Sequence, residues 1–106
     1  MGKIGQWENA EPGVKRNIIN AGNELMMMEV HFEKNAQGYE HSHVHEQMSY
    51  CLLGKMAFYI DGVETILKKG DSIFIPSNAK HSVTALEASA ILDVFTPIRE
   101  DLLDRE

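Results

Sequence analysis

Lys55-Met56-Ala57-Phe58-Tyr59-Ile60-Asp61-Gly62-Val63-Glu64-Thr65-Ile66-Leu67 is the stretch that decides the fold class. Two β-prone runs, 55–60 and 63–67, flank a two-residue break. A type I′ turn needs positive φ at both central positions, and Asp-Gly tolerates it, so the segment predicts a hairpin.

The same alternation of short apolar runs and turn residues extends in both directions. Downstream, Lys69-Gly70-Asp71 is a turn, 72–75 a strand ended by Pro76, 77–79 a turn, and 81–86 and 90–95 two more strands. Upstream, 14–20 is a short run, and 24–33 places Met26, Met28, Val30 and Phe32 on one face. The polar, glycine-containing 34–39 reads as a loop and 41–53 as one extended stretch. Beyond Pro97, the spacing predicts a short helical tail over 98–105 with Leu102 and Leu103 facing inward. Eight or more short strands with a turn every 8–12 residues imply a sandwich or barrel that closes its own edges. With 106 residues and no linker or repeat, the expectation is an all-β protein with a single domain over 1–106.

Composition narrows the function. The net charge is −6 and no basic cluster exceeds Lys68-Lys69, so a nucleic-acid backbone would be repelled. No run approaches the ~20 apolar residues of a membrane span, and the first ten residues carry charge and Trp7 rather than a signal-peptide core. Cys51 is the only cysteine and sits in an apolar run, which fits a buried hydrophobe in a reducing, cytoplasmic setting.

The chemistry concentrates in Gly38-Tyr39-Glu40-His41-Ser42-His43-Val44-His45-Glu46-Gln47. In a regular strand His41, His43, His45 and Gln47 would share a face. Neutral imidazole keeps a lone pair near neutral pH and is the commonest metal ligand. Two such rings at spacing two can pinch one ion, and His81, after Pro76, can close the site from another strand.

The spacing resembles the cupins. Their first motif is matched by His41-x-His43, Gln47 and Gly54, over about 38–54, and their second by Gly70, Pro76 and His81, over about 70–85. Gln47 stands where the family carries an acid, Asn78 where it carries glycine and Ala85 where it carries asparagine. The resemblance implies a double-stranded β-helix, or jelly-roll barrel, with a short C-terminal tail. It assigns His41, His43, Gln47 and His81 as ligands of one divalent ion among Zn, Ni, Mn and Fe. A register using His43 and His45 leaves no acid or glycine at the right places, so His45 falls outside the ligand set, and His31 has no motif. A glutamine carbonyl leaves the full charge of the ion in place, which favours an anionic substrate.

Three longer stretches, 23–34, 41–50 and 92–101, resemble the small single-domain cupins of pectin and alginate breakdown. That likeness implies conversion of 4,5-unsaturated uronate monosaccharides to linear 4-deoxy-5-keto uronates. It also implies roles for Asp93, Phe95 and Arg99: proton transfer, packing on the sugar and a grip on the substrate carboxylate. The residues alone leave open an Asp93–Arg99 ion pair that merely pins the tail. Two other functions compete: a metal-dependent dioxygenase, which Gln47 disfavours, and a non-catalytic sugar-binding or regulatory module. Small cupins commonly pair, so a homodimer is expected, with Tyr50 and Tyr59 in the core or between subunits.

Overall fold

The structure, a computed structural model, describes residues 2–103. Ten strands follow one another: β1 (Trp7–Asn9), β2 (Val14–Ala21), β3 (Met26–Phe32), β4 (Gln37–His41), β5 (Glu46–Leu53), β6 (Lys55–Ile60), β7 (Val63–Lys68), β8 (Ser72–Ile75), β9 (His81–Ala85) and β10 (Ser89–Thr96). They form two antiparallel sheets, ordered β1-β2-β3-β10-β5-β8 and β4-β9-β6-β7. The fold is the all-β barrel that the sequence predicts.

The deciding hairpin forms as expected. Ile60 pairs with Val63, and Asp61 and Gly62 take φ of 48° and 82°, the positive values a type I′ turn demands. Gly54 is fixed for a different reason. Its φ is 89°, and a Cβ there would lie 2.2 Å from Ser89 Oγ and 2.5 Å from the Ala88 carbonyl oxygen. No side chain fits between β5 and β6 at that bend.

Three expectations are corrected. The stretch 41–53 is two strands in different sheets, because the chain must cross from one sheet to the other. The crossing is held by the turn after Pro76: Asn78 N donates to the His43 carbonyl (2.8 Å) and Ser77 Oγ to that of Val44 (2.5 Å). Those carbonyls are therefore not available to a strand ladder. Second, 34–39 is not all loop, since β4 begins at Gln37; its exposed polar residues gave no alternation to detect. Third, 98–103 is irregular chain with a turn at 100–102 and a bridge from Leu103 to Gly2, not helix. The segment is too short to repay helix nucleation, and the Leu102 carbonyl instead accepts from Gly2 N at 2.7 Å. Leu102 and Leu103 do face inward and are buried; 104–105, the end of the expected helix, lies outside the described residues.

The core lies between the sheets. Met26, Met28, Val30 and Phe32 of β3 are all buried, as their spacing predicts, and meet Ile91, Phe95, Met56, Phe58, Leu67 and Ile75. Each such side chain stabilises the fold by about 1.5–3 kcal/mol. The burial is not uniformly apolar. Gln47, Ser49, His81 and Asp93 are also buried, although burying polar groups costs stability unless they are paired. All four lie toward one end of the barrel, where the two sheets face each other across a cavity of about 270 Å³.

Candidate metal centre

Three imidazoles converge at that end. His41 ends β4 and is the register partner of His81, which opens β9. His43 is held in the crossing between the sheets. Ring centroids lie 4.3 Å apart for His41–His81, 4.9 Å for His43–His81 and 5.5 Å for His41–His43. One nitrogen from each ring falls within 4.8 Å of the others.

The tautomers follow from the backbone. Nδ1–H of His41 donates to the Tyr39 carbonyl (2.8 Å), that of His43 to His45 (3.0 Å) and that of His81 to Ala79 (2.9 Å). Each ring therefore offers Nε2 as a lone pair, the arrangement by which outer hydrogen bonds orient metal-binding histidines. His81 Nε2 is buried and has no hydrogen-bond partner. Burial, reinforced by the Arg99 charge, holds the pKa of His43 down, and burial lowers His81 to about 4, so both rings stay neutral at physiological pH. Gln47 Oε1 lies 3.1 Å from His43 Nε2. A carbonyl oxygen facing an imine lone pair is a contact that a shared cation relieves. The residues present fit one divalent ion with three nitrogens and one oxygen, a donor set that suits several transition metals.

Beside it is the second polar group. β5 and β10 pair so that Gln47 is opposite Phe95 and Ser49 opposite Asp93, all with side chains turned inward. Gln47 Nε2 donates to Ser49 Oγ (3.0 Å), and Ser49 Oγ donates to Asp93 Oδ1 (2.5 Å). Burial pushes the Asp93 pKa up to about 6, against the pull of the Ser49 and Gln47 hydrogen bonds and the Arg99 charge. Phe95 is fully buried with its ring edge-on to His43 at 5.9 Å. The Arg99 guanidinium lies 5.3 Å from the Phe95 centroid and makes a bidentate pair with Asp101 (3.0 and 2.7 Å). Among the described hydrogen bonds, Asp93 is bonded to Ser49 and Arg99 to Asp101. The direct Asp93–Arg99 ion pair is not formed, and both residues line the cavity.

His45 does not join the triad: its Nε2–H donates to the Ile98 carbonyl at 3.2 Å. His31 is exposed, pairs with Glu29 and packs on Trp7 at 4.5 Å. Tyr50 is exposed on the outer face. Ser49 was not expected from the sequence, although its alternation with Gln47 and Cys51 along β5 put it on the inner face. Arg16 and Tyr39, which line the cavity, were also missed. No spacing rule connects β2 and β4 to residues so far along the chain.

The comparisons with known proteins agree with this geometry. A cupin domain family model matches residues 28–95. A pectin degradation protein, KdgF, of Dickeya dadantii is 41% identical over 99 residues, covering 92% of this chain and 90% of that one. The structure of KdgF from a Halomonas species superposes with a TM-score of 0.86 at 34% identity, covering 91% of this chain and 89% of that one. An RmlC-like cupin from Shewanella frigidimarina also reaches 0.86, at 36% identity over 91% and 86%.

Proposed function

The chain belongs to the cupin domain family, among its small KdgF-like members, and from that premise we propose that it opens 4,5-unsaturated uronate monosaccharides to linear 4-deoxy-5-keto uronates in the breakdown of pectin-type polysaccharides. The observation that carries the reading is Asp93, a protonatable carboxylate held in one cavity with Arg99 and with His41 and His81 of the imidazole triad. Similarity to a pectin degradation protein, KdgF, supports a role in pectin breakdown, and the unsaturated uronate is what the likeness of 23–34, 41–50 and 92–101 implies.

The substrate is a cyclic hemiacetal whose ring oxygen is also an enol ether, with a carboxylate beside the double bond. Opening it moves one proton and changes no oxidation state overall. The C1 hydroxyl loses its proton, the bond from C1 to the ring oxygen breaks, and C1 becomes an aldehyde. The ring oxygen leaves with the bonding pair as the enolate of C4 and C5, which gains a proton at C4 and becomes the C5 ketone. Asp93, with its pKa pushed up to about 6, can take the first proton and return one at C4, since a group near the working pH serves as both base and acid. Arg99 keeps one terminal nitrogen outside its pair with Asp101 and offers a charge-assisted grip on the carboxylate. Phe95 provides an apolar wall beside that grip. A divalent ion on His41, His43, Gln47 and His81 would supply Lewis-acid polarisation of a substrate oxygen.

The same proposal includes a cytoplasmic homodimer. No helix among the described residues is long and apolar enough to cross a membrane. On the outside of the larger sheet, Met48, Tyr50 and Phe74 are 60%, 44% and 45% exposed, and half-buried Leu92 and Val94 continue the face through the register of β10. The solvent side of an antiparallel sheet is normally polar, so this face suits a second copy. The deciding experiment gives metal-loaded protein an unsaturated uronate and follows the enol-ether absorbance. Loss of the band much faster than in buffer is expected, and no acceleration rejects the reading.

A further inference from the structure

We propose that Ser49 is a positioning residue for the metal centre, holding the Gln47 carbonyl toward the ion through a one-way hydrogen-bond chain that ends on Asp93. The inference rests on reading the triad as a metal site.

An amide side chain has two faces. Its oxygen can ligate a cation and its NH₂ cannot. Nothing about Gln47 alone decides which atom meets His43. Turned over, its NH₂ would donate to the His43 Nε2 lone pair, a satisfactory bond in the metal-free protein and a useless one for binding metal. Ser49 decides the matter. Its side chain is fully buried, so it has no solvent partner. It has one hydroxyl hydrogen, which goes to Asp93 Oδ1 at 2.5 Å. With that hydrogen committed, Ser49 Oγ can only accept from Gln47, and it does so from Nε2 at 3.0 Å. The amide NH₂ is thereby drawn away from the triad, and Oε1 faces His43 at 3.1 Å. The order of donors runs Gln47 to Ser49 to Asp93, and with Asp93 ionised, reversing either link leaves a buried group without its partner, which costs more than a normal hydrogen bond gains.

The chain also explains why this position carries glutamine instead of an acid. A carboxylate at 47 has no hydrogen to give Ser49 Oγ. The single Ser49 hydrogen would then be claimed by residue 47 and Asp93 together, and one would lose its bond. A carboxylate at 47 has no inert face either, so its ability to ligate does not depend on Ser49.

That difference supplies the test. Zn²⁺ affinity is measured by competition with a chromophoric chelator for the wild type, Ser49→Ala, Gln47→Glu and the double variant. Melting temperatures of the metal-free forms are recorded on the same samples. In the glutamine background Ser49→Ala is expected to weaken Zn²⁺ binding by roughly 10–100-fold, as for other groups that orient ligands. In the Gln47→Glu background the same change should cost less than about threefold. Ser49→Thr, which keeps the hydroxyl, is expected to recover most of the affinity if its melting temperature matches wild type. Equal losses in both backgrounds, or no loss with glutamine present, overturn the orienting role while leaving the metal site standing. A wild-type chain that takes up no Zn²⁺ overturns the metal reading and this inference with it.

Discussion

His41 and His81 are directly opposite one another in the β4–β9 ladder, with ring centroids 4.3 Å apart, although one is exposed and the other buried. The pairing brings the first motif and the second motif together as neighbours in a single sheet. The candidate metal site is therefore a property of that ladder as much as of the His-x-His segment.

Purified protein should carry close to one divalent ion per chain, and His41→Ala combined with His81→Ala should remove it. His43→Ala should also lose most of the metal. His45→Ala should retain it, because His45 is occupied with the Ile98 carbonyl. Elemental analysis of the four proteins checks this, and full metal in the double variant would refute the site.

Gln47→Glu should keep or tighten metal binding, since it adds a charged ligand. It should slow turnover of an anionic uronate, because the cavity loses positive charge. A faster enzyme would show that the glutamine was not selected for charge.

Asp93→Asn preserves shape and removes proton transfer. It should lower turnover by roughly 10²–10⁴-fold with metal content unchanged. Arg99→Ala should act mainly on substrate binding and appear as a raised KM. Were both residues only fastening the tail, activity per folded molecule would hardly move and the melting temperature would fall instead.

Acidification should separate two buried groups of opposite sign in the metal-free protein. The Asp93 pKa is raised from 3.8 to about 6, so its contribution is fully present below pH ~4 and is lost as pH rises through about 6, on the order of 3 kcal/mol. The His81 pKa is lowered from 6.5 to about 4, so its contribution is present above pH 6.5 and is lost as pH falls through about 4. His43 shifts in the same direction as His81. Between pH 6.5 and 4 Asp93 offsets the histidines. Asp93→Asn removes the offset and should steepen the fall in melting temperature on acidification in the presence of chelator. Parallel curves for the two proteins would contradict this assignment of signs.

Replacing Met48 and Phe74 by glutamate places like charges on the apolar outer face of β5 and β8. Sedimentation should show a dimer for the wild type and a monomer for the variant, with the barrel still folded. A monomeric wild type would remove this face as a subunit contact.

The sequence by itself determined much of this protein, wherever the information is local. The Asp61-Gly62 hairpin, the buried stripe of β3 and the left-handed turn at Asn78, whose φ is 66°, all follow from residues within a few positions of each other. The motif spacing likewise named the imidazoles that converge. What the sequence could not determine was decided by the sheet crossover. Alternation put His41, His43, His45 and Gln47 on one face of one strand, but the chain changes sheets between His41 and Glu46. The turn at Ser77 and Asn78 fixes that crossing by taking the carbonyls of His43 and Val44. His45 was thereby turned to the tail and His43 kept at the centre. The same limit applies to Ser49, since its partner Asp93 is on β10 and only the pairing of β5 with β10 makes them neighbours. Hydrogen bonds between strands distant in sequence leave no periodicity in either strand, and here those bonds orient the site.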